Sequence, residues 1–181
     1  MLLHLHHIAI LVRSLEIVEK SLPGDLERLK VESFPAEGTK EQYIDLDPSG
    51  RPCLLLIEAI GEGPYRRALS KRGPGIHHLG LVTDNLDAAV GHFSGERLLI
   101  HPFSMKSITQ RVIWMCRPGV PFLVEIIEKQ ELDHDPPPAV HLEFPVATDA
   151  IFPRIPGVTM RWTENPWMTV SSNTSSFNID T

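Results

Sequence analysis

Cysteine is scarce in this chain. Cys53 and Cys116 are the only two among 181 residues, and neither lies in a CxxC pair. That excludes a disulfide-dense scaffold. It leaves open one distant bridge and favours a reduced, cytoplasmic protein. Basic runs are also missing. Net charge is −6 with the two signs intermixed, so the sequence shows no electrostatic footprint for nucleic acid. No apolar run reaches the ~18 residues of a membrane-spanning helix, and no membrane partner is expected. The opening "MLLHLHHIAILV" has no basic leader and no small-residue cleavage site, so it reads as a first strand and not as a signal peptide.

What is present is a repetition. "LHHIAILVRSLEIVEKSL" (Leu5 to Leu22) overlies "IHHLGLVTDNLDAAVGHF" (Ile76 to Phe93) at a constant offset of 71 residues. His6 and His7 fall on His77 and His78, and Ser14 falls on Asn85. Leu15, Val18 and Leu22 fall on Leu86, Ala89 and Phe93. Each half reads as a strand followed by an amphipathic helix, with Ser14 and Asn85 as N-caps. Further on, "CLLLIE" (Cys53 to Glu58) overlies "LVEIIE" (Leu123 to Glu128) at an offset of 70. Between these segments lie stretches suited to further strands, "EQYIDLD" in the first half and "RLLIHP" and "RVIWMCRP" in the second. The expected unit is β-α-β-β-β, twice. Its period is too long for a solenoid, so the fold class is α+β with two tandem modules, residues 1–70 and 71–130.

From Glu131 the character changes. "ELDHDPPP" blocks regular structure. "AVHLEFPVATD", "VTMRW" and "WMTVSSNTSSFNID" then read as strands, with a polar turn at Asn173-Thr174. Pro145 suggests an edge position for the first of them. Residues 131–181 are expected to form a C-terminal β extension of the same compact domain, with a truncated third module as the alternative.

Strand alternation separates the paired histidines. His7, Ala9 and Leu11 share one face, and Ile8, Ile10 and Val12 the other. In the second module Ile76, His78 and Gly80 share a face, opposite His77, Leu79 and Leu81. The bulky aliphatics suit packing beneath the module's helix. The His7 and His78 faces carry the small residues Ala9 and Gly80, which leave room for a ligand. Glu125 stands alone between Val124 and Ile126 in an apolar strand, a costly place for an ion unless it is paired or bound to a metal. The residues by themselves admit two readings. One is a metal set of His7, His78 and Glu125. The other is two structural histidines with an acid turned to solvent.

The segments "LHHIAILVRSLE", "AEGTKEQYIDLD", "LLLIEAIGEGPYRRALSKRGPGIHHLGLVTDNLDAAV" and "PGVPFLVEIIE" resemble the vicinal oxygen chelate superfamily. This is the glyoxalase/bleomycin-resistance/dioxygenase group. The "ALSKR" and "GPGIHH" pieces resemble its methylmalonyl-CoA epimerase-like branch. The resemblance covers the chain from Met1 to about Glu128. It implies two βαβββ modules paired into a curved mixed sheet, a cup around a divalent metal such as Co, Mn, Zn, Ni or Fe. It assigns His7, His78 and Glu125 as the metal ligands.

It also implies a small-molecule substrate, an acyl-CoA among the options, and admits a homodimer. The expected chemistry is epimerisation, isomerisation or lysis at a carbon next to a carbonyl, with Glu37 as the base and Glu41 as runner-up. One position departs from the pattern. Leu55 stands opposite Glu125, where the family usually supplies a fourth ligand, and Glu58 faces the other way. Two His and one carboxylate match the triad of Fe(II) ring-cleaving dioxygenases, which keeps that activity as an alternative. Binding without turnover is a third. "RRALSKR" is either a solvated helix face or a seat for phosphates. Trp114, Phe122, Phe144 and Trp162 read as core. His92, His101 and His134 have no partner in the repeat, and His141 echoes His78 weakly.

Overall fold

The computed structural model describes residues 1–145, 151–165, 167–173 and 175–180. The first module runs β1 (Leu3–Val12), α1 (Leu15–Glu19), β2 (Glu32–Phe34), β3 (Thr39–Asp45), β4 (Cys53–Ala59). A helix, α2 (Pro64–Arg72), crosses the expected module boundary. The second module runs β5 (Gly75–Thr83), α3 (Leu86–Gly95), β6 (Leu99–Ile100), β7 (Val112–Cys116), β8 (Leu123–Glu128). Two short 3-10 turns, Pro102–Lys106 and Ile108–Gln110, separate β6 from β7. "RLLIHP" therefore yields only a two-residue strand before Pro102 diverts the chain.

These strands form one eight-stranded sheet in the order β2-β3-β4-β1-β5-β8-β7-β6. Each module pairs its first strand in parallel with its last, β1 with β4 and β5 with β8. The modules join through the antiparallel pairing of β1 with β5. Reading outward from that junction, the second module repeats the first in mirror order, as a duplication with a two-fold relation requires. No helix among the described residues is long and apolar enough to cross a membrane.

One face of the sheet carries the main core. Leu3, Leu5, Ile8 and Ile10 of β1 meet Leu54 and Leu56 of β4 and Leu79 and Leu81 of β5 there. Leu15 and Val18 of α1 and Leu86, Ala89 and Phe93 of α3 pack onto it. The C-terminal segment adds to the same core. Its strands are β9 (Val140–Phe144), β10 (Val158–Trp162), β11 (Trp167–Ser171) and β12 (Ser176–Asp180). They form a second sheet in the order β10-β9-β11-β12. Leu142, Phe144, Val170 and Ile179 bury themselves in the first sheet's core. Phe122, Phe144, Phe152 and Trp162 make an aromatic cluster between the two, so the core reading of Phe122, Phe144 and Trp162 agrees with their packing.

Two expectations about this extension change. β9 is not an edge strand but lies between β10 and β11, and Pro145 is tolerated because the strand has already ended at Phe144. The second half of "AVHLEFPVATD" and the Thr174 side of the expected turn lie outside the described residues. His141 bonds Thr159 and Glu143 on the second sheet and has no part in the cup.

The repeat "IE" at the ends of β4 and β8 has a structural use. Glu58 Oε2 accepts the Leu15 N–H at 2.8 Å, and Glu128 Oε1 accepts the Leu86 N–H at 2.9 Å. Each module thus closes its own helix start with a carboxylate from its last strand, where an anion also suits the helix dipole. Asn85 adds a side-chain cap to Ala88, whereas Ser14 sits at the cap position without one. Glu58 is therefore the main cap of α1. Glu58→Ala should lower the unfolding free energy in urea by about 1 kcal/mol.

Candidate metal centre

The other face of the eight-stranded sheet lines a cavity of ≈ 660 Å³. All of its lining residues fall between His6 and Ile127. β3 contributes Glu41 and Tyr43, β4 Leu55 and Ile57, β7 Trp114, and β8 Glu125. Where α2 overhangs the first module, Ala68 and Leu69 pack against Ala9, Leu11, Leu55, Ile57 and Ala59. α2 stops there because Gly73 takes a left-handed φ of 78° and Pro74 follows.

Strict alternation fails at the two places that matter most. In the β1–β5 ladder the pairing slips by one residue between Leu5 and His7, and again between Ala9 and Ile10. His6 is the extra residue on β1, and His77 is the extra residue on β5. In a bulge two neighbours oppose one partner residue and the side chains are re-aimed. His6 and His7 together oppose Gly80, and His77 and His78 together oppose Ala9. The core confirms the change of phase. Leu3 and Leu5 lie on the same face as Ile8 and Ile10, and Ile76 packs with Leu79 and Leu81. The expected separation of His6 from His7 and of His77 from His78 is thus corrected, as is the placing of Ile76 beside His78. All four imidazoles line the cup.

His7 and His78 meet Glu125 at the centre. His7 Nε2 lies 2.9 Å from His78 Nε2. Glu125 Oε2 is 3.6 Å from the first and 3.7 Å from the second. The carboxylate contacts are too long for hydrogen bonds. They are not ion pairs either, because both rings are held neutral. Burial, then His6 and Lys129, push His7 down to about 3. Burial, then His7 and His77, push His78 well below its ordinary value. Burial, then Glu37 and Glu41, push Glu125 up to about 7.

A triangle with those three sides has its vertices about 2.0 Å from a common centre, the bond length of a divalent ion to imidazole nitrogen or carboxylate oxygen. Two neutral imidazoles and an acid ready to ionise are also the right donors. The three side chains fit a divalent metal. Leu55, 4% exposed, faces the same cup and offers no donor atom. Glu58 is committed to the helix start on the opposite face.

Small residues are required here. His7 lies so close over Gly80 that a Cβ there would occupy the imidazole itself. Glu37 lines the cavity from the exposed turn between β2 and β3. Glu41 lies deeper, half-buried, and accepts a hydrogen bond from Thr39 Oγ1 at 2.8 Å. Burial raises its carboxyl above the ordinary range, against the pull of Thr39. Trp114 proves to be cup wall, 5.0 Å from the His78 ring. His101, without a counterpart in the repeat, also lines the cup. The sequence signal for His6 and His77 was the repetition of both histidines, which alternation overrode.

Fold and site together define a duplicated βαβββ protein with a His-His-Glu set on the shared face. Residues 6–99 match the Glyoxalase/Bleomycin resistance protein/Dioxygenase superfamily, and the chain belongs to that family. No curated protein sequence matches it. Among solved structures it is similar to a hypothetical protein from Bacillus halodurans C-125. That pair shares 23% identity at a TM-score of 0.56, over 75% of this chain and 100% of the other. It is also similar to methylmalonyl-CoA epimerase from Mycobacterium tuberculosis, at 20% identity and a TM-score of 0.50, over 69% and 87%. A methylmalonyl-CoA epimerase in complex with methylmalonyl-CoA and NH4+ gives 19% and 0.52, over 71% and 95%. These likenesses show the fold.

Two outcomes follow from the geometry. Gly80→Ala should fold but expel the His7 ring, so that Co(II) or Zn(II) affinity in titration calorimetry falls at least tenfold. In the metal-free protein the four imidazoles have folded values below their ordinary 6.5, with His6 and His77 near 4 and His7 near 3. The unfolded chain therefore takes up protons first as pH falls below that value. The stability these rings contribute is complete above about pH 6.5 and drains away towards pH 4. Glu125, shifted upward from 4.5 to about 7, acts in the opposite sense, one group against four. The melting temperature should drop steadily between pH 7 and about 4.5; a flat or rising profile would contradict the neutral array.

Proposed function

We propose that the protein is a metal-dependent epimerase, isomerase or lyase acting at the carbon next to a carbonyl of a small acid or an acyl-CoA thioester. The observation that carries this reading is the convergence of His7 Nε2, His78 Nε2 and Glu125 Oε2 at metal-bonding separations, with carboxylates on the surrounding wall. His7, His78 and Glu125 would hold the ion, whose identity among Co, Mn, Zn, Ni and Fe the donor set leaves open. A bound divalent ion polarises a carbonyl oxygen and stabilises the negative charge that develops when the neighbouring C–H bond is broken.

The chain's own groups do the rest. Glu41 is half-buried, oriented by Thr39 and raised towards neutrality, which suits a general base. It would take the α-proton. A proton delivered to the opposite face of the same carbon by a second group epimerises it, and return from Glu41 to a neighbouring atom isomerises the substrate. Glu37, exposed at the rim, is the second candidate for the same task. Tyr43, Leu55 and Trp114 wall the cup and exclude water. Arg67 and Lys71, exposed on α2 beside the cup, suit the phosphates of an acyl-CoA, and structural relatives on this fold carry methylmalonyl-CoA and 2-nitronate-propionyl-CoA.

One observation favours a second reading. With Leu55 in place of a fourth donor, the set is two His and one carboxylate, the facial triad of Fe(II) dioxygenases. Oxygen uptake with catechols and Fe(II) tests it.

The primary test is solvent deuterium exchange at the α-carbon of acyl-CoA thioesters and small carbonyl acids, with Co(II) or Mn(II) supplied. Exchange should appear, vanish in His78→Ala, and fall roughly 100-fold or more in Glu41→Gln, the scale of a lost general base. Glu37→Gln should have the smaller effect. Absence of exchange across the panel, with metal bound, would leave binding without turnover as the function.

A further inference from the structure

The paired bulges do more than crowd the cup. They string four imidazoles into one line. His6 Nδ1 lies 3.0 Å from His7 Nδ1, His7 Nε2 lies 2.9 Å from His78 Nε2, and His78 Nδ1 lies 2.9 Å from His77 Nδ1. At the outer end His6 Nε2 faces the ammonium of Lys129 at 3.4 Å. Each nitrogen-to-nitrogen contact needs one proton between two lone pairs. Four neutral rings carry four protons, so the three contacts are satisfied and one N–H is left at an end.

We propose that His6 and His77 are positioning residues that set the tautomers of His7 and His78 and so aim both Nε2 lone pairs at the metal. This rests on the metal reading given above. The direction of the ion-free line follows from its end. Lys129 Nζ donates, so His6 Nε2 accepts and the His6 proton sits on Nδ1. His6 then donates to His7 Nδ1, His7 Nε2–H donates to His78 Nε2, and His78 Nδ1–H donates to His77 Nδ1. His77 keeps its proton on Nε2, in the pocket beside the Tyr65 ring. His78 and His77 are in this way already arranged for metal.

Only the His6 end has to change. Metal needs a lone pair on His7 Nε2, so the proton there leaves the ring, and the His6 Nδ1 proton passes to His7 Nδ1. His6 Nε2 takes a proton from solvent, and the Lys129 ammonium gives up its contact with that nitrogen. The four rings hold four protons before and after. In the metal-bound arrangement each ligand imidazole donates its Nδ1–H to an outer imidazole, the support that metal-binding histidines use to fix ring orientation and raise basicity.

The bulges explain why a histidine can do this from the adjacent position. In an unbroken strand neighbours point to opposite faces, and His6 could not reach His7. The slip at each site places ligand and support on one side. Asn can stand in for the support, because its Oδ1 occupies a place close to that of a histidine Nδ1 and accepts the same bond.

The test uses Zn(II) titration and imidazole 15N NMR on the full chain. In the ion-free wild type, His6 should carry its proton on Nδ1 and His77 on Nε2. On Zn(II) addition His6 should switch to Nε2–H while His77 does not change. His6→Leu and His77→Leu should each weaken Zn(II) binding 10- to 100-fold, and His6→Asn and His77→Asn should recover most of it. The Co(II) visible spectrum should keep the same ligand number in the Asn variants. Unchanged affinity in the Leu variants, or a His6 ring that keeps Nδ1–H with Zn(II) bound, would overturn the assignment even though metal binds. A wild type that takes up neither Zn(II) nor Co(II) would overturn the metal reading itself, and this assignment with it. The wild-type NMR result stands whether or not the Leu variants fold.

Discussion

The antiparallel pairing of β1 with β5, slipped by one residue at two places, is the constraint on which the rest depends. It is the only strand-to-strand link between the two modules in the eight-stranded sheet. It brings His7 over Gly80 and His78 beside Ala9. A side chain larger than hydrogen at position 80 would occupy the space of the His7 ring, so the approach of the two rings is bought with a glycine in the middle of a buried strand. The parallel partners β4 and β8 then place Leu55 and Glu125 at corresponding depths on either side. A duplicated module supplies most of the centre by symmetry, and one asymmetric pair decides its donor number.

The two faces of the sheet divide the work. The helix face holds nearly all the bulky aliphatics, both module helices and the whole C-terminal sheet. That concentration of apolar burial allows the opposite side to carry the four histidines of β1 and β5, His101 and three acids without losing the fold. Desolvation keeps all four rings neutral and draws Glu125 towards its protonated form. A polar group buried without compensation is expensive. Here the imidazoles compensate one another through their contacts. A divalent ion would compensate the carboxylate, which no donor among the described residues reaches within hydrogen-bond distance.

Much of this was legible in the chain because duplication is a signal that single-residue propensity lacks. A constant offset of 71 linked His7 to His78, and an offset of 70 linked Leu55 to Glu125. The loss of one residue between the two is absorbed in the connections. Val158–Trp162 was readable as a strand from its composition alone. The bulges were not legible. Nothing in "LHHIAI" or "GIHHLG" announces an extra residue, since both fit an unbroken alternation as well as a slipped one. The slip becomes visible only when Leu5 and Ile8, three apart, are found on one face. The same limit hid Trp114, whose bulk suggests core in any strand. The helix-start roles of Glu58 and Glu128 were hidden as well, since they depend on where a strand end meets a helix from elsewhere in the chain.

Leu55 gives the site its character. In a fully symmetric duplication the fourth position would carry an oxygen donor, and an ion would have two His and two acids around it. With Leu55 there, a divalent ion bound by two neutral imidazoles and one carboxylate retains net positive charge and at least one position free of protein. Both features strengthen its pull on a substrate oxygen, and neither specifies what happens next. That choice falls to the wall. A half-buried acid such as Glu41, raised by burial and steadied by Thr39, is suited to moving a proton from carbon. A ring-cleaving oxygenase would depend instead on the open positions for oxygen and substrate together. A tuned acid beside the place that such an ion would take is therefore the physical ground on which proton transfer is preferred over oxygen chemistry.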